Sequence, residues 1–371
     1  MSTATGDTTS LFFALIRCGI GKEKILPHTP TREQWAALLD MSRKQTLAGI
    51  AFAGIETLPH EQRPPREVLL QWYSLCENIK KLNSSLNRKA VIVSQKFREE
   101  GFGNCILKGQ GIASLYPNPL LRMPGDIDIW LDGGCDRVLR YINSITPDCD
   151  PTYHHVDFNI SGDTGIEVHY RPTWMYSPLK NRRLQRYFTR TASEQFGNTT
   201  LLAEGTLHVP TASFNRVYIP LHIYRHLFSE GIGLRQVLDY YFVLMQGFSK
   251  EEQEESLELY NALGIGRFVQ ALMYVMQHIF HLDEAHTIIA PDRRHGRFLL
   301  EEIMKAGNFG QYDTRYATAD EGYNLTRVRN TFKRMSTLAS CYPSEVLWAP
   351  FFKLWHMAWR WMKRKEMKKW K

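Results

Sequence analysis

Several features that would assign a function at once are missing from this sequence. Its six cysteines (Cys18, Cys76, Cys105, Cys135, Cys149 and Cys341) include no C-x-x-C pair, which argues against a zinc knuckle or a dense disulfide framework and leaves reduced thiols as the plain reading. No window approaches the roughly 18 uninterrupted apolar residues that a membrane-spanning helix requires. The polar start MSTATGDTTS places no positive charge ahead of the short apolar stretch at 11–16, so a secretory leader is not expected and a cytoplasmic protein is. There is no internal repeat. Charge of one sign is also scarce outside one place. The net charge is +8, but residues 351–371 hold eight Lys/Arg against one Glu, which leaves 38 basic and 37 acidic residues elsewhere. A nearly neutral body makes total charge a poor argument for nucleic-acid binding by the whole chain.

What is present is apolar material: 43% of the 371 residues are hydrophobic and 12% aromatic, enough for two or three folding units with a sizeable core. Helical spacing runs through residues 11–60, with Thr31 and Gln34 placed as an N-terminal capping box. After Pro65, Trp72, Leu75/Cys76, Ile79, Leu82, Leu86, Ala90, Val93 and Phe97 recur every three or four positions until Gly101 and Gly103, which predicts one long helix packed along that face. The period then changes. Cys105-Ile106-Leu107 is a short apolar run that ends in Lys108-Gly109-Gln110-Gly111, and Ile112–Tyr116 is expected to form a short helix before Pro117 and Pro119. Ile127 and Ile129 alternate with Asp126 and Asp128 as in a strand. Val156, Phe158 and Ile160 do the same against His155, Asp157 and Asn159, and Ile166, Val168 and Tyr170 against Glu167 and His169, with a turn at 161–165 between the last two runs. From Thr211 onward the pattern is helical again. The fold class expected is α+β, a small mixed sheet core at 102–200 between helical regions at 1–101 and 201–371.

The chemistry concentrates in GDIDIW, residues 125–130. Two aspartates two apart on a strand project to one face about 7 Å apart, while the isoleucines enter the core. Carboxylate oxygens suit hard divalent cations, and two such ions can clamp the attacking and leaving oxygens of a phosphoryl or nucleotidyl transfer. Glu167, on the polar face of its own strand in GIEVHY, is the candidate third carboxylate. D-x-D alone is common on charged strand edges without any metal. The ordered series around it, a glycine-containing turn, a short helix, a D-x-D strand and a later strand with one acid, is more specific.

The string LKGQGIASLYPNPLLRMPGDIDIWL followed by IEVHYRP resembles the bacterial uncharacterised nucleotidyltransferase family of the DNA polymerase β-like superfamily, most sharply over residues 104–172. The resemblance implies a metal-dependent nucleotidyltransferase that moves a nucleoside monophosphate from an NTP such as ATP to a hydroxyl or phosphate acceptor and releases pyrophosphate. It implies Mg²⁺ or Mn²⁺ on Asp126, Asp128 and Glu167, with Glu167 also helping to activate the acceptor. The family's first turn usually carries Gly-Ser and lies nearer the aspartates, whereas here it is Lys108-Gly109-Gln110, with Gly109 standing 17 residues before Asp126. Two rival readings stand beside this one: a nucleotidyltransferase-like binding scaffold without turnover, and a D-x-D glycosyltransferase, which would need a nucleotide-binding α/β domain that the helical N-terminus does not offer.

Other residues divide between site and scaffold. Gly109 and Gly111 would let backbone N–H groups approach a triphosphate and Lys108 would neutralise it, or the segment is a tight turn with a solvated lysine. Arg122 reaches a phosphate, braces a carboxylate, or lies on the surface. His169 shares a face with Glu167 and orients it, touches substrate, or is a structural histidine. His222 and His226 stand one helical turn apart without an H-E-x-x-H, which favours a structural or substrate-contacting role over zinc, and Arg235 and Asp239 are expected to pair within their helix. In the tail, tryptophans interleave with lysines over 351–371, a combination suited to an anionic membrane surface or to nucleic acid. The alternative is that Phe351, Leu354, Trp355 and Trp359 pack on the helical region while the last ten residues stay solvated. The acceptor, whether small molecule, peptide or RNA, is not identified.

Overall fold

The structure is a computed structural model that describes residues 2–147, 149–158, 165–315 and 323–370. Four helices lead: α1 (Ser2–Gly19), α2 (Arg32–Lys44), α3 (Ala48–Thr57) and α4 (Arg66–Glu99). Thr31 closes its capping box with Gln34, the Gln34 N–H donating to Thr31 Oγ1 at 3.3 Å and the Thr31 N–H to Gln34 Oε1 at 2.9 Å. The long helix after Pro65 is α4, and it stops at Gly101, which takes φ +78°, a value glycine adopts without a Cβ penalty. One position on its packing face differs from the apolar reading. Leu82 is exposed and Asn83 is buried in its stead, because the Asn83 amide donates to the carbonyls of Leu120 (2.8 Å) and Arg122 (2.7 Å) and so ties the segment before the aspartates to the helix.

The α/β portion comprises β1 (Asn104–Ile106), α5 (Gln110–Ala113), β2 (Ile127–Leu131), α6 (Gly134–Ile145), β3 (His155–Asp157), β4 (Ile166–His169), α7 (Pro178–Gly197) and a separate hairpin of β5 (Thr199–Leu202) with β6 (Gly205–His208). The sheet order is β1-β2-β4-β3. β2 runs parallel to β4, and the other two pairings are antiparallel, so the sheet is mixed, as expected. The short helix begins at Gln110 rather than Ile112. Asn159, Ile160 and the turn residues 161–164 lie outside the described residues.

Strand alternation sorts the sheet into two faces. Ile127, Ile129, Leu131, Val156, Phe158, Ile166, Val168 and Tyr170 pack with Leu86, Ala90 and Phe97 of α4 and Val138, Leu139 and Ile142 of α6 in one small core. The opposite face carries Asp126, Asp128, Glu167, His169, His155 and Asp157 by the same parity.

The remaining helices are α8 (Ala212–Ser229), α9 (Leu234–Leu244), α10 (Lys250–Leu263), α11 (Gly266–Phe280), α12 (Arg293–Ala306), α13 (Tyr323–Leu338) and α14 (Pro343–Lys368). They share one large core with α1–α3: Leu11, Phe12, Leu15 and Trp35 belong to the same buried cluster as Leu238, Phe268, Leu272 and Met276. All six cysteines are free thiols. Among the described residues no helix is long and apolar enough to cross a membrane.

The tail is a continuous helix whose basic end is mostly solvated, with Lys365, Lys368 and Lys369 exposed, but tied to the fold at a few points. Lys363 reaches Asp136 at 2.8 Å, Arg364 grips Asp150 with two bonds of 2.9 and 2.7 Å, Arg360 joins it, and Met367 is buried against the sheet's own core. The reason is complementary charge at the start of α6 and in the loop that follows it. Lys363 and Met367 sit on the same side of the helix as the aromatic residues that dock first.

Candidate functional site

The polar face of the sheet turns toward α8 and α9. In register, Asp128 stands opposite Glu167 across the parallel β2–β4 pair, and His155 stands opposite His169 across β3–β4. Neighbouring strands lie about 4.8 Å apart, so four polar side chains are forced into one patch. His169 Nε2 lies 2.9 Å from Asp128 Oδ1 and 3.3 Å from Glu167 Oε2, and His155 Nδ1 lies 3.0 Å from the same Glu167 oxygen. Lys108, at the end of the run that β1 begins, brings its Nζ to 3.0 Å from Asp128 Oδ2, at ion-pair distance but without hydrogen-bond alignment.

The electrostatics follow from burial and these partners. Burial alone would disfavour the Asp128 carboxylate, but Lys108 and the His169 hydrogen bond overcome it and hold its pKa below the ordinary value. Burial acts likewise on Glu167, and the close approach of His155 and His169 holds it well below the usual carboxylate range. Burial would deprotonate His169, yet its bond to Asp128 and the nearby Glu167 carboxylate keep it cationic, with a pKa raised to about 9. Lys108 is held up in the same way, its burial outweighed by Asp128, Asp126 and Glu167. Asp126 moves the other way. The charge of Asp128 pushes its pKa up, against the pull of Lys108, so a further cation near the pair would be stabilising.

The expected site residues separate into groups. Asp128, Glu167 and His169 each bring one polar atom within 4.8 Å of the others; the two carboxylates suit a hard divalent ion, while the protonated His169 ring donates to them and is not itself a ligand. Asp126 stands outside that set, exposed at the rim of a cavity that Asp128, Lys108 and Gly109 also line. Gly109 takes φ +58°, so the turn there is one that glycine adopts freely. Gln110 and Gly111 point elsewhere: both are buried, and a Cβ on Gly111 would come within 2.9 Å of Val209 Cγ1. Arg122 lines the cavity but is committed to Asp239, its Nε donating to Oδ1 at 2.7 Å and its Nη2 to Oδ2 at 2.8 Å, while the Tyr116 hydroxyl donates to the same Oδ1 at 2.7 Å. The intrahelical Arg235–Asp239 pair therefore does not form. Asp239 is saturated from β2's approach segment, and Arg235 Nη1 donates to the Met123 carbonyl at 2.9 Å with its Nε left without a partner. The His222 ring lines the same cavity, and burial, followed by Lys108, keeps it neutral.

Three participants were not marked by the sequence. His154 and His155 are one, a pair whose rings lie 4.2 Å apart beside His169; burial and then His155 drive His154 well below its ordinary pKa and leave its Nε2 unpartnered. The second is Arg235 as a cation facing the rim. The third is Phe309, at φ +50°, packed on His226 at 5.0 Å and closing the cavity from the far side. The His155 signal was available, since its parity on β3 matches that of Glu167 and His169. Phe309 carried no signal. The cavity itself is about 30 Å³, room for roughly one water, so a triphosphate would have to lie across the open rim at Gly125 and Asp126.

A family model described as uncharacterised nucleotidyltransferase matches residues 31–281. Among solved structures the chain is similar to an antigenic nucleotidyltransferase-like protein from Paracoccidioides brasiliensis, at 12% identity over 60% of this chain and 97% of that one, with a TM-score of 0.32, too slight a likeness to argue from. No match was found among curated proteins.

Proposed function

The chain belongs to the uncharacterised nucleotidyltransferase family, and from that premise we propose that it transfers a nucleoside monophosphate from an NTP to a hydroxyl or phosphate acceptor. An acceptor oxygen attacks the α-phosphorus, any proton it carries passing to solvent, the bond from that phosphorus to the bridging oxygen of the β-phosphate breaks, and pyrophosphate leaves with that oxygen. The observation that carries the reading is the convergence of Asp128 and Glu167 from adjacent parallel strands onto His169.

Asp126, Asp128 and Glu167 would hold Mg²⁺ or Mn²⁺, which would neutralise charge on the phosphates as the bond breaks. His169 acts on the carboxylates. With a pKa near 9 it is already protonated at neutral pH, so it serves as a hydrogen-bond donor that fixes Asp128 and Glu167 and not as the base that accepts the acceptor's proton. Lys108 and Arg235 face the rim and supply positive charge for the triphosphate. Most of the rate enhancement would then come from positioning and charge neutralisation.

A second reading, a nucleotide-binding scaffold without turnover, is favoured by one observation: Lys108 and His169 already engage both oxygens of Asp128. Incubation with α-labelled ATP, CTP, GTP and UTP, Mg²⁺ or Mn²⁺, and a panel of small-molecule, peptide and RNA acceptors separates the two. Transfer requires label on an acceptor with pyrophosphate released, reduced on the order of a thousandfold by Asp128→Asn. Nucleotide binding without pyrophosphate would support the scaffold, and absence of both would remove either reading.

A further inference from the structure

A cavity of about 900 Å³ forms a groove between α7 and α14, lined by residues other than those of the carboxylate site. Its two walls differ in character. On α7, Arg182, Arg186 and Arg190 line it at every fourth residue, about 6 Å per step along the helix. None of the three makes an ion pair among the described residues, and no carboxylate lines the groove. On α14, Trp348, Phe351 and Trp355 face it at helical spacing. They are 37%, 60% and 45% exposed, high for large aromatic side chains.

The aromatic wall is braced. Phe352 stacks on Trp174 with centroids 4.1 Å apart and an interplanar angle of 6°, and Tyr153 meets Trp355 edge-on at 5.3 Å. Arg171 closes one end, its guanidinium 4.4 Å above the Tyr153 ring and its Nη1 donating to the Tyr153 carbonyl at 2.7 Å. Arg171 follows His169 by two residues, so that end of the groove lies next to the strand carrying Glu167 and His169.

We propose that this groove binds single-stranded nucleic acid, with successive phosphates along the α7 arginines and bases stacked on the α14 aromatics. A row of evenly spaced guanidiniums suits a polyanion with a regular repeat better than a ligand with one charged head. Aromatic faces accept any base, so the site would be tolerant of sequence. A duplex keeps its bases paired and cannot use the aromatic wall. The inference does not rest on catalysis: it concerns a binding surface, and it holds or fails whether or not the carboxylate site turns over. It also shifts the nucleic-acid role away from the lysines at the chain's end, of which Lys363 is already paired with Asp136.

The test is fluorescence anisotropy of a short labelled single-stranded RNA of mixed sequence, titrated with the full chain without NTP at several salt concentrations. A duplex of the same sequence and vesicles of phosphatidylcholine with phosphatidylglycerol serve as comparison arms. Binding of the single strand is expected with a salt dependence that becomes shallower by about 2 in slope when Arg182, Arg186 and Arg190 are all changed to Ala. Phe351→Ala is expected to weaken binding by roughly tenfold. All four positions are on exposed helix surface, and unchanged thermal melting verifies the fold of each variant. Unaltered RNA affinity and salt slope in the triple arginine variant would overturn the proposal. So would equal affinity for the duplex, or binding to the acidic vesicles without binding to RNA.

Discussion

Two buried charge networks flank the same cavity, and they are built differently. In the first, Arg122 forks onto Asp239 and Tyr116 completes the cap; both oxygens of the carboxylate are hydrogen-bonded by donors of fixed geometry. In the second, Asp128 and Glu167 are shared among Lys108, His155 and His169. Some atoms there reach ion-pair distance without aligned hydrogen bonds, and an uncompensated Asp126 stands at the rim. Both networks are buried and both contain carboxylates. What separates them is satisfaction: a saturated pair has no free valence for a ligand, whereas a loosely shared set with excess negative charge does. The first holds the approach to β2 against α9, and the second is where chemistry is to be sought.

Arg122→Ala should leave Asp239 buried and unpaired and lower the unfolding free energy by roughly 3–5 kcal/mol, read from urea denaturation; a loss near zero would mean that the saturated pair holds nothing. The pH dependence of stability should come from the other network. The folded pKa of His169 lies above its unfolded value, so its contribution is fully present below about 6.5 and is lost as the pH rises through about 9. Stability should therefore fall across that window by about 3 kcal/mol, and the fall should be absent in His169→Gln. Lys108→Met should tighten Mn²⁺ binding by roughly tenfold in calorimetric titration, since it removes the cation that competes for Asp128, while weakening nucleotide binding. Tyr116→Phe, which strips one bond from an otherwise intact pair, should cost about 1 kcal/mol and leave metal affinity unchanged.

Much of the second network was legible in sequence because strand parity is a strict rule. Once Asp126-x-Asp128 and Glu167-x-His169 are read as strands, their side chains must share a face, and the parallel register then places Asp128 beside Glu167. The first network was misread for a matching reason. Arg235 and Asp239 sit four apart on a helix, and local spacing suggested a local pair, but Asp239 is claimed by Arg122, 117 residues away. Helix periodicity identifies which face is buried without identifying what meets it. The same limit applies to Leu82 and Asn83, where a polar side chain took the inward position to satisfy two backbone carbonyls. It applies also to the α7 arginines and α14 aromatics, whose facing walls lie far apart in the chain.

On the proposed reading, Asp128 and Glu167 form a seat for a divalent ion that the Arg122–Asp239 pair cannot provide. Electron paramagnetic resonance of free Mn²⁺ titrated against the chain tests it most directly, with Asp128→Asn, Glu167→Gln and Tyr116→Phe measured alongside. Saturable uptake of Mn²⁺ that is lost in the first two variants and retained in the third is the predicted result. Uptake that is absent in the native chain, or equal in all four proteins, would contradict it.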